Sequence, residues 1–338
     1  MSLRLGIDYG GTSTKLILGS PEPGRTPTPV AEQLIDSPRG GHALAELART
    51  VGDFLGSHRI ATAGISVPGL IGADGVVRAA VNLPWLAGRH LAQEAGDLLG
   101  VPVQVLNDGH AAAYAEAVLG AGRDYDDSFI VALGTGIASK HVIGGHVRTG
   151  AHQGAGEIGH IVCEPGGRLC SCGQRGCLET VIGGSHLARR WQEAIETSGS
   201  ARGADSRVTA ADLARAAHQG DPRARAIADA AADGLATVLL GVIATIDPGV
   251  IVIGGGIAQS HEELVAPAIE AIGRRATFHH LPQILPAGLG PWAGAWGAAL
   301  GARDLLASEP RTSHDRTDRA AQAASSSSSV RFAANPPT

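Results

Sequence analysis

Three glycine-rich turns, each at the end of an apolar strand-like segment, are the residues best suited to binding phosphate groups. Glycine has no side chain, so its backbone N–H can approach phosphate oxygens closely. One such turn is equally well explained as a tight hairpin, but three predict a shared nucleotide site, the first two holding phosphates and the third the adenosine. The turns are Gly10, Gly11 and Thr12; Gly134, Thr135 and Gly136; and Gly254, Gly255 and Gly256.

Two aspartates lie where a carboxylate could take part in chemistry. Asp8 precedes the first glycine turn, and a carboxylate beside bound phosphates requires a cation, usually Mg²⁺. Asp108 follows a buried strand and stands next to Asn107. It could cap the next helix, or it could accept the proton of a hydroxyl group that attacks phosphorus. We predict the second role, with Asn107 orienting the substrate.

All four cysteines lie within a segment of 15 residues. Such clustering is more typical of metal binding than of a disulfide framework. Three thiolates and one imidazole would complete a closed tetrahedral site for a structural zinc ion, and a loop with incidental cysteines is the alternative. The predicted ligands are His160, Cys170, Cys172 and Cys177, and Cys163 is expected to be a buried thiol.

The same metal would fix polar residues at both ends of the cysteine segment. Glu157 and His160 precede the cysteines, and Glu179 follows them. Two carboxylates and an imidazole nitrogen are suited to hydrogen bonding with a polyhydroxylated ring. The segment therefore predicts a site for a sugar or a sugar-like molecule.

The elements that must position these residues alternate between strands and helices. Residues 3–8 and 14–18 form a predicted hairpin around the first glycine turn, and residues 128–133 begin a second unit of the same plan. This alternation implies an α/β fold. From residue 309 onward, Ser, Arg, Ala and Pro predict a disordered tail. Further strands are predicted at 60–67, 101–106 and 250–253, and helices at 110–119, 227–246, 260–275 and 293–306.

Composition excludes several classes of partner. The chain of 338 residues has a net charge of −5, and its basic residues are scattered rather than clustered, which disfavours nucleic acid and anionic membrane surfaces. The first residues lack the pattern of a signal peptide, and no stretch approaches the ~20 apolar residues of a membrane helix. With its clustered cysteines, the chain is expected in the reducing cytoplasm.

Taken in order, these motifs resemble the ROK family of bacterial sugar kinases and regulators, in its zinc-containing, glucokinase-like branch. The resemblance covers residues 1 to about 306. It implies an actin-like ATPase (ribonuclease H-like) fold, in which two related α/β domains enclose a cleft. The smaller domain would comprise residues 1–109, joined by the last helix at about 293–306. The larger domain would comprise residues 110–292, and residues 309–338 would form the disordered tail.

The resemblance implies an ATP-dependent, Mg²⁺-requiring kinase with a structural Zn²⁺. It would transfer the γ-phosphoryl group to a hydroxyl of a hexose such as glucose, the 6-hydroxyl being expected, with Asp108 as general base. A cytoplasmic homodimer is expected. The implied sugar contacts are Gly69, Asn82, Asn107, Asp108, Glu157, His160 and Glu179, and the implied ATP and Mg²⁺ contacts are Asp8, Lys15 and the residues of the three glycine turns.

Departures from the family pattern leave the acceptor open. The family commonly has lysine directly after the threonine of the first turn, whereas Lys15 stands three residues after Thr12, and Ala138-Ser139-Lys140 replaces small glycine-rich residues. The alternative acceptors are an amino sugar of the N-acetylmannosamine or glucosamine type and a C7 cyclitol, and polyphosphate is an alternative donor. A sugar-sensing transcription regulator is disfavoured, because regulators add an N-terminal winged helix and only seven residues precede Asp8.

Overall fold

The computed structural model describes residues 2–72, 74–80, 82–152, 154–197, 208–303 and 305. The predicted tail at 309–338 lies outside these residues. The described part of the chain is organised around two five-stranded sheets.

The first sheet has the strand order β3-β2-β1-β4-β7. β1 and β2 form an antiparallel hairpin, to which β3 adds on one side, while β4 and β7 continue in parallel on the other. Because the carboxyl ends of parallel strands meet at one edge, residues that follow β1, β4 and β7 are brought together. The strands are β1 Leu3–Tyr9, β2 Ser13–Gly19, β3 Ala31–Asp36, β4 Ile60–Val67 and β7 Val103–Asn107.

The second sheet repeats this plan in the order β10-β9-β8-β11-β12. β8 and β9 form the antiparallel hairpin, β10 extends it, and β11 and β12 run parallel to β8. The doubled strand–turn–strand unit predicted from the sequence is thereby confirmed. The strands are β8 Asp127–Leu133, β9 Ile137–Ile143, β10 His146–Arg148, β11 Val250–Gly254 and β12 Gln283–Pro286.

Helices and short turns connect and cover the sheets. A separate two-stranded ribbon is formed by β5 Leu70–Ile71 and β6 Val77–Ala79. The predicted helix over 260–275 begins instead as a π-helical turn, His261–Val265. The helices are α1 Ala43–Leu55, α2 Leu91–Leu99, α3 Asp108–Val118, α4 Leu178–Ile182, α5 Gly184–Thr197, α6 Ala210–His218, α7 Pro222–Ile246, α8 Ala266–Arg275 and α9 Ala293–Gly301. Short 3-10 turns lie at Pro84–Leu86, Ile158–His160, Ile257–Gln259 and Gly290–Trp292.

The last helix, α9, packs on the first sheet although it follows the second sheet in sequence. Its backbone comes so close that a Cβ atom at Gly6 on β1 or at Gly64 on β4 would overlap the carbonyl oxygen of an α9 residue. On its other side, Gly297 of α9 packs against the backbone of α3. The domain boundary predicted after residue 109 falls in the first turn of α3, and the division into 1–109 and 110–292 stays a prediction.

Helix α7 is the centre of the core beneath the second sheet. Asp221 caps its first turn by accepting hydrogen bonds from Arg223 and Ala224, and Pro222 occupies the first helical position. Among the described residues, this helix alone is long and apolar enough to cross a membrane by length and composition, so the expectation that no stretch approaches a membrane helix is wrong. One face of the helix is buried against Leu178, Leu187 and other core residues, as expected of a core helix, while the opposite face is exposed.

Candidate active site

The first hairpin pairs Asp8 with Lys15. These residues lie opposite each other in the register of β1 and β2, and the Lys15 Nζ is 2.9 Å from the Asp8 Oδ2. The other carboxylate oxygen accepts a hydrogen bond of 2.9 Å from Ser66, the cross-strand neighbour on β4. Asp8 is therefore held on both oxygens, and Lys15, predicted to contact ATP, is anchored beside the first glycine turn.

The first glycine turn is braced by residues that sequence reasoning missed. Ser37 donates a hydrogen bond of 2.6 Å to the Gly10 carbonyl, and Arg39 donates one of 2.8 Å to the Gly11 carbonyl. Both residues follow β3, far from the turn in sequence. Asn82, predicted to contact the sugar, lies against Gly11, where an added Cβ atom would be 3.2 Å from the Asn82 Cβ.

Helix α3 begins at Asp108, and Asn107 rather than Asp108 is its N-cap. The Asn107 Oδ1 accepts a hydrogen bond of 3.0 Å from the His110 backbone N–H. The Asn107 amide nitrogen donates to the Gly69 carbonyl at 2.9 Å and to the Asp108 Oδ1 at 3.0 Å. Asn107 thus holds Asp108 and the loop at Gly69, and the interpretation of Asp108 as the helix cap is wrong.

The environment of Asp108 raises the pKa of its carboxyl group. Burial is the main cause of a raised pKa of Asp108, and the nearby charge of Asp8 adds to it. The Oδ1 atom also accepts a hydrogen bond of 2.8 Å from the Gly109 backbone N–H, which opposes the shift. Neither this bond nor that from Asn107 uses Oδ2.

A cavity of about 310 Å³, here called the Asp108 cavity, joins Asp108 to Asp8 and to the third glycine turn. Gly254 and Gly255 line it, and Gly255 has a φ of +91° that favours glycine. Gly294 of α9 also lines it, and a Cβ atom at this position would lie 2.8 Å from the Asp8 Cγ. In the sequence, Gly294 could be recognised only as a small residue in an Ala/Gly-rich helix.

The second glycine turn lies against α4 and α5. The Gly134 carbonyl accepts a hydrogen bond from the Gly184 N–H at 2.9 Å, at the start of α5. Glu179, predicted to contact the sugar, accepts from the Ile137 N–H at 3.1 Å, and a Cβ atom at Gly136 would approach its carboxylate at 2.5 Å. Glu179 therefore adjoins the second turn. Among the described residues that line the Asp108 cavity, none comes from this turn.

A second cavity, of about 480 Å³, is here called the Lys140 cavity. Gly69, Asn107 and Glu157, all predicted to contact the sugar, line it together with Lys140 and His110, which were not predicted. The Lys140 ammonium lies 3.1 Å from the Glu157 Oε1. Burial lowers the pKa of His110, and the Lys140 charge lowers it further. Asn107 and Asp108, adjacent in sequence, thus border different cavities.

The predicted metal ligands come together. The ligand atoms of His160, Cys170, Cys172 and Cys177 all lie within 4.8 Å of one another. The His160 Nδ1 is 3.6 Å from the Cys170 Sγ, and the Cys172 and Cys177 sulfurs are 3.7 Å apart. A tetrahedron with zinc–sulfur distances of about 2.3 Å has edges of about 3.8 Å, which fits these separations.

The charges of the cluster also suit a cation. Hydrogen bonds from Gln174 lower the pKa of Cys172 to about 6. Burial, followed by the neighbouring Cys172, raises the pKa of Cys177 to about 12, so two thiolates at this distance require a positive ion. Cys163 lies outside the cluster. It lies against Gly234 of α7 and is half-buried, rather than buried as predicted.

Two sheets of identical topology, with glycine turns and carboxylates at their edges, define an α/β protein of the actin-like ATPase fold. The chain belongs to the ROK family, whose model matches residues 4–304.

Individual relatives agree with this family membership. The chain is 36% identical to a glucokinase from Thermotoga maritima over 187 residues, 54% of this chain and 59% of that protein. It is 32% identical to an N-acetylmannosamine kinase from Escherichia coli O157:H7, over 62% of this chain and 68% of that protein. The chain thus spans less than two thirds of the first relative.

Among solved structures, the fold matches a ROK family glucokinase from Streptomyces griseus, crystallised in complex with glucose and AMPPNP. The TM-score is 0.74 and the sequence identity is 29%. The match covers 89% of this chain and 99% of the other. The likeness therefore extends over nearly the whole of that structure.

Proposed function

We propose that this chain is an ATP-dependent sugar kinase that transfers the γ-phosphoryl group to a hydroxyl of a hexose such as glucose, with Asp108 as general base. The 6-hydroxyl is the proposed acceptor atom. The observation that carries the proposal is the position of Asn107 and Asp108 between two cavities. Asp108 borders a glycine-lined cavity suited to a nucleotide, while Asn107 borders one lined by polar side chains.

The geometry suggests how Asp108 would act. Asn107 and Gly109 both bind its Oδ1, so the remaining oxygen, Oδ2, is the atom available to accept the proton of the attacking hydroxyl. A raised pKa brings the carboxylate closer to the basicity at which a general base is effective near neutral pH.

Mg²⁺ would be held beside Asp8, whose carboxylate lines the Asp108 cavity. When bound, the ion would neutralise charge on the phosphates of ATP. Lys15 and Ser66 fix the Asp8 carboxylate. The glycine turns are proposed to supply backbone donors for the remaining phosphate oxygens and a flat surface for adenosine.

A second candidate acceptor is an amino sugar of the N-acetylmannosamine type. The similarity to an N-acetylmannosamine kinase favours it, since the match covers 68% of that protein. The donors and acceptors of the Lys140 cavity suit an acetamido group as well as hydroxyls. A C7 cyclitol fits the same hydrogen-bonding requirement.

We also propose a structural zinc ion at His160, Cys170, Cys172 and Cys177, a cytoplasmic location and a homodimeric assembly. The zinc proposal rests on the tetrahedral separations of the four ligand atoms. Metal bound at the His160 Nδ1 would leave Nε2 available for the sugar. The assembly and location rest on the family alone.

A coupled assay of ADP release tests the proposed function. Purified protein is offered ATP with glucose, N-acetylmannosamine, glucosamine or a C7 cyclitol. In a parallel series polyphosphate replaces ATP, and formation of the phosphorylated acceptor is measured instead, because this donor releases no ADP. We expect turnover of glucose with ATP, abolished in Asp108→Ala. Asp53→Asn, an exposed change on α1, is the matched control. Absence of sugar-dependent ADP release, or normal turnover by Asp108→Ala, would refute the proposal.

A further inference from the structure

Lys140 is a buried cation in a wall of the proposed acceptor site. Lys15 and Lys140 are the only two lysines in the sequence. Lys140 projects from β9 and is only 8% exposed, and a lysine is rarely so buried unless it is paired. Its position in a cavity therefore calls for an account of what the ammonium binds.

Two of the three N–H donors of Lys140 are accounted for. Its Nζ donates to the Ala155 carbonyl at 2.9 Å and to the Glu157 Oε1 at 3.1 Å. An ammonium carries three donors, and Lys140 lines the cavity. One donor is consequently available to a molecule bound there.

The partner carboxylate is also open to such a molecule. The side chain of Glu157 is 51% exposed, while that of Lys140 is 11% exposed. Lys140 binds the Oε1 atom of this carboxylate, and no hydrogen bond among the described residues uses the other oxygen of Glu157, which lines the cavity. The pair therefore presents a donor and an acceptor side by side, with its two charges balanced.

His110 adds a third polar group to the same wall. It lies on α3, two residues after Asp108, and burial, followed by the Lys140 charge, lowers the pKa of its imidazole. Among the hydrogen bonds of the described residues, that of His110 involves its backbone N–H and not its ring. The wall thus offers hydrogen bonds to an uncharged, oxygen-rich ligand.

We propose that Lys140 determines which acceptor this kinase uses, by donating its third N–H to an oxygen of the acceptor and by orienting Glu157 toward the same molecule. The acceptor class is a neutral polyol bearing a hydroxyl or carbonyl oxygen at that position. An acceptor with a free ammonium group there is rejected, because it meets the Lys140 charge. Specificity then arises from a repulsive as well as an attractive contact.

This inference rests on the proposed function, and its test separates the two. Steady-state constants are measured for wild type, Lys140→Met and Lys140→Arg with glucose, each monodeoxyglucose and glucosamine. Arg274→Met, which removes an exposed ion pair with Glu270, is the matched control. Binding of the same sugars is measured by calorimetry on Asp108→Asn protein with and without Lys140→Met.

Loss of a hydrogen bond from a charged donor predicts a fall of about 10- to 100-fold in kcat/KM for glucose, carried mainly by KM. For the one deoxy sugar that lacks the contacted oxygen, wild type and Lys140→Met should differ little. The ratio of kcat/KM for glucosamine to kcat/KM for glucose should rise in Lys140→Met, because Glu157, no longer paired with Lys140, then attracts the amine. Lys140→Arg should restore part of the glucose preference.

A uniform loss for all sugars, with unchanged ratios, would overturn the inference, as would unchanged constants. If the Asp108→Asn proteins with and without Lys140→Met bind the sugars with the expected ratios but wild type releases no ADP, the proposed function fails and the inference stands. If glucose binds to neither protein in calorimetry, the inference fails.

Discussion

The two lysine–carboxylate pairs of this molecule are built in different ways. Lys15 faces Asp8 across a single hairpin, so the register of β1 and β2 alone brings them together. Lys140 faces Ile130 across the second hairpin and instead reaches Glu157, 17 residues further along the chain. The first pair depends on local strand geometry, whereas the second depends on the loop that precedes the cysteine segment.

This difference assigns distinct roles to the pairs. The Asp8 side chain is 18% exposed and has both oxygens bound, which suits a fixed ligand for a cation. The Glu157 side chain is 51% exposed and has one oxygen bound, which suits a contact with a variable molecule. We therefore expect changes at the first pair to affect the nucleotide and changes at the second to affect the acceptor.

Among the substitutions that separate the roles of the two pairs, Asp8→Asn is expected to have the largest effect. Loss of the carboxylate should weaken the apparent affinity for Mg²⁺ by more than the about 10- to 100-fold typical of losing a residue that supports a metal ligand. The KM for glucose should change little. Titration of Mg²⁺ at fixed ATP checks this, with Asp53→Asn as control. An unaltered Mg²⁺ requirement would remove Asp8 from the cation site.

Removal of the proposed zinc ion should act mainly on the acceptor side, although Glu179 also adjoins the second glycine turn. Glu157 and Glu179 flank the cysteine segment, so its loosening should raise the KM for glucose by about tenfold or more and should raise the KM for ATP by less. Metal analysis should find about one zinc per chain, and Cys177→Ala should lose it and lower the unfolding temperature. Purified wild type that contains no zinc and still has the same KM for glucose as zinc-loaded protein would contradict the metal assignment.

A smaller effect is expected from Glu157→Gln. The neutral amide leaves Lys140 without its charge partner and weakens hydrogen bonding to the sugar, so the KM for glucose should rise by about tenfold. The KM for ATP is the internal reference, and Glu270→Gln, an exposed change on α8, is the external one. A comparable rise in the KM for ATP would contradict the assignment of the Lys140–Glu157 pair to the acceptor rather than the nucleotide.

The smallest effect is expected from Ser37→Ala. Ser37 is 7% exposed, and its hydroxyl bonds the Gly10 carbonyl at 2.6 Å and the Thr14 hydroxyl at 2.8 Å. Its loss should cost about 1 to 3 kcal/mol of unfolding free energy. Urea denaturation measures this cost. Full stability with a raised KM for ATP would show that Ser37 contacts the nucleotide instead of bracing the turn.

Local patterns predicted the two repeated hairpins, the strand at Ile60–Val67 and the grouping of His160 with three cysteines. Strand alternation and ligand spacing can be recognised within short segments of sequence. The pairing of Asp8 with Lys15 also follows from register. The contacts of Lys140, Arg39 and Gly294 could not be predicted from register, because tertiary packing brings each residue to its partner. Asn107 and Asp108 are both good caps, so sequence could not place the helix start to within one residue.

The stability of Asp108→Asn follows from the raised pKa of Asp108. The folded chain holds this proton more tightly than the unfolded chain. The contribution of Asp108 to stability therefore falls as pH rises from its ordinary pKa of about 3.9 through the raised value. Asp108→Asn should consequently unfold at the same or a higher temperature than wild type at neutral pH, and should gain nothing at acidic pH.

Glucose-dependent ADP release by Asp108→Asn, measured at neutral pH beside its unfolding temperature, tests the central claim most directly. Loss of a general base predicts a fall of about 10²- to 10⁴-fold in kcat, with binding of glucose retained and no loss of thermal stability. Removal of a general base should lower kcat by at least about 10²-fold. A kcat within about threefold of the wild-type value would therefore contradict the assignment of Asp108 as the base. Inactivity accompanied by a lower unfolding temperature would contradict the separation of catalysis from folding at this residue.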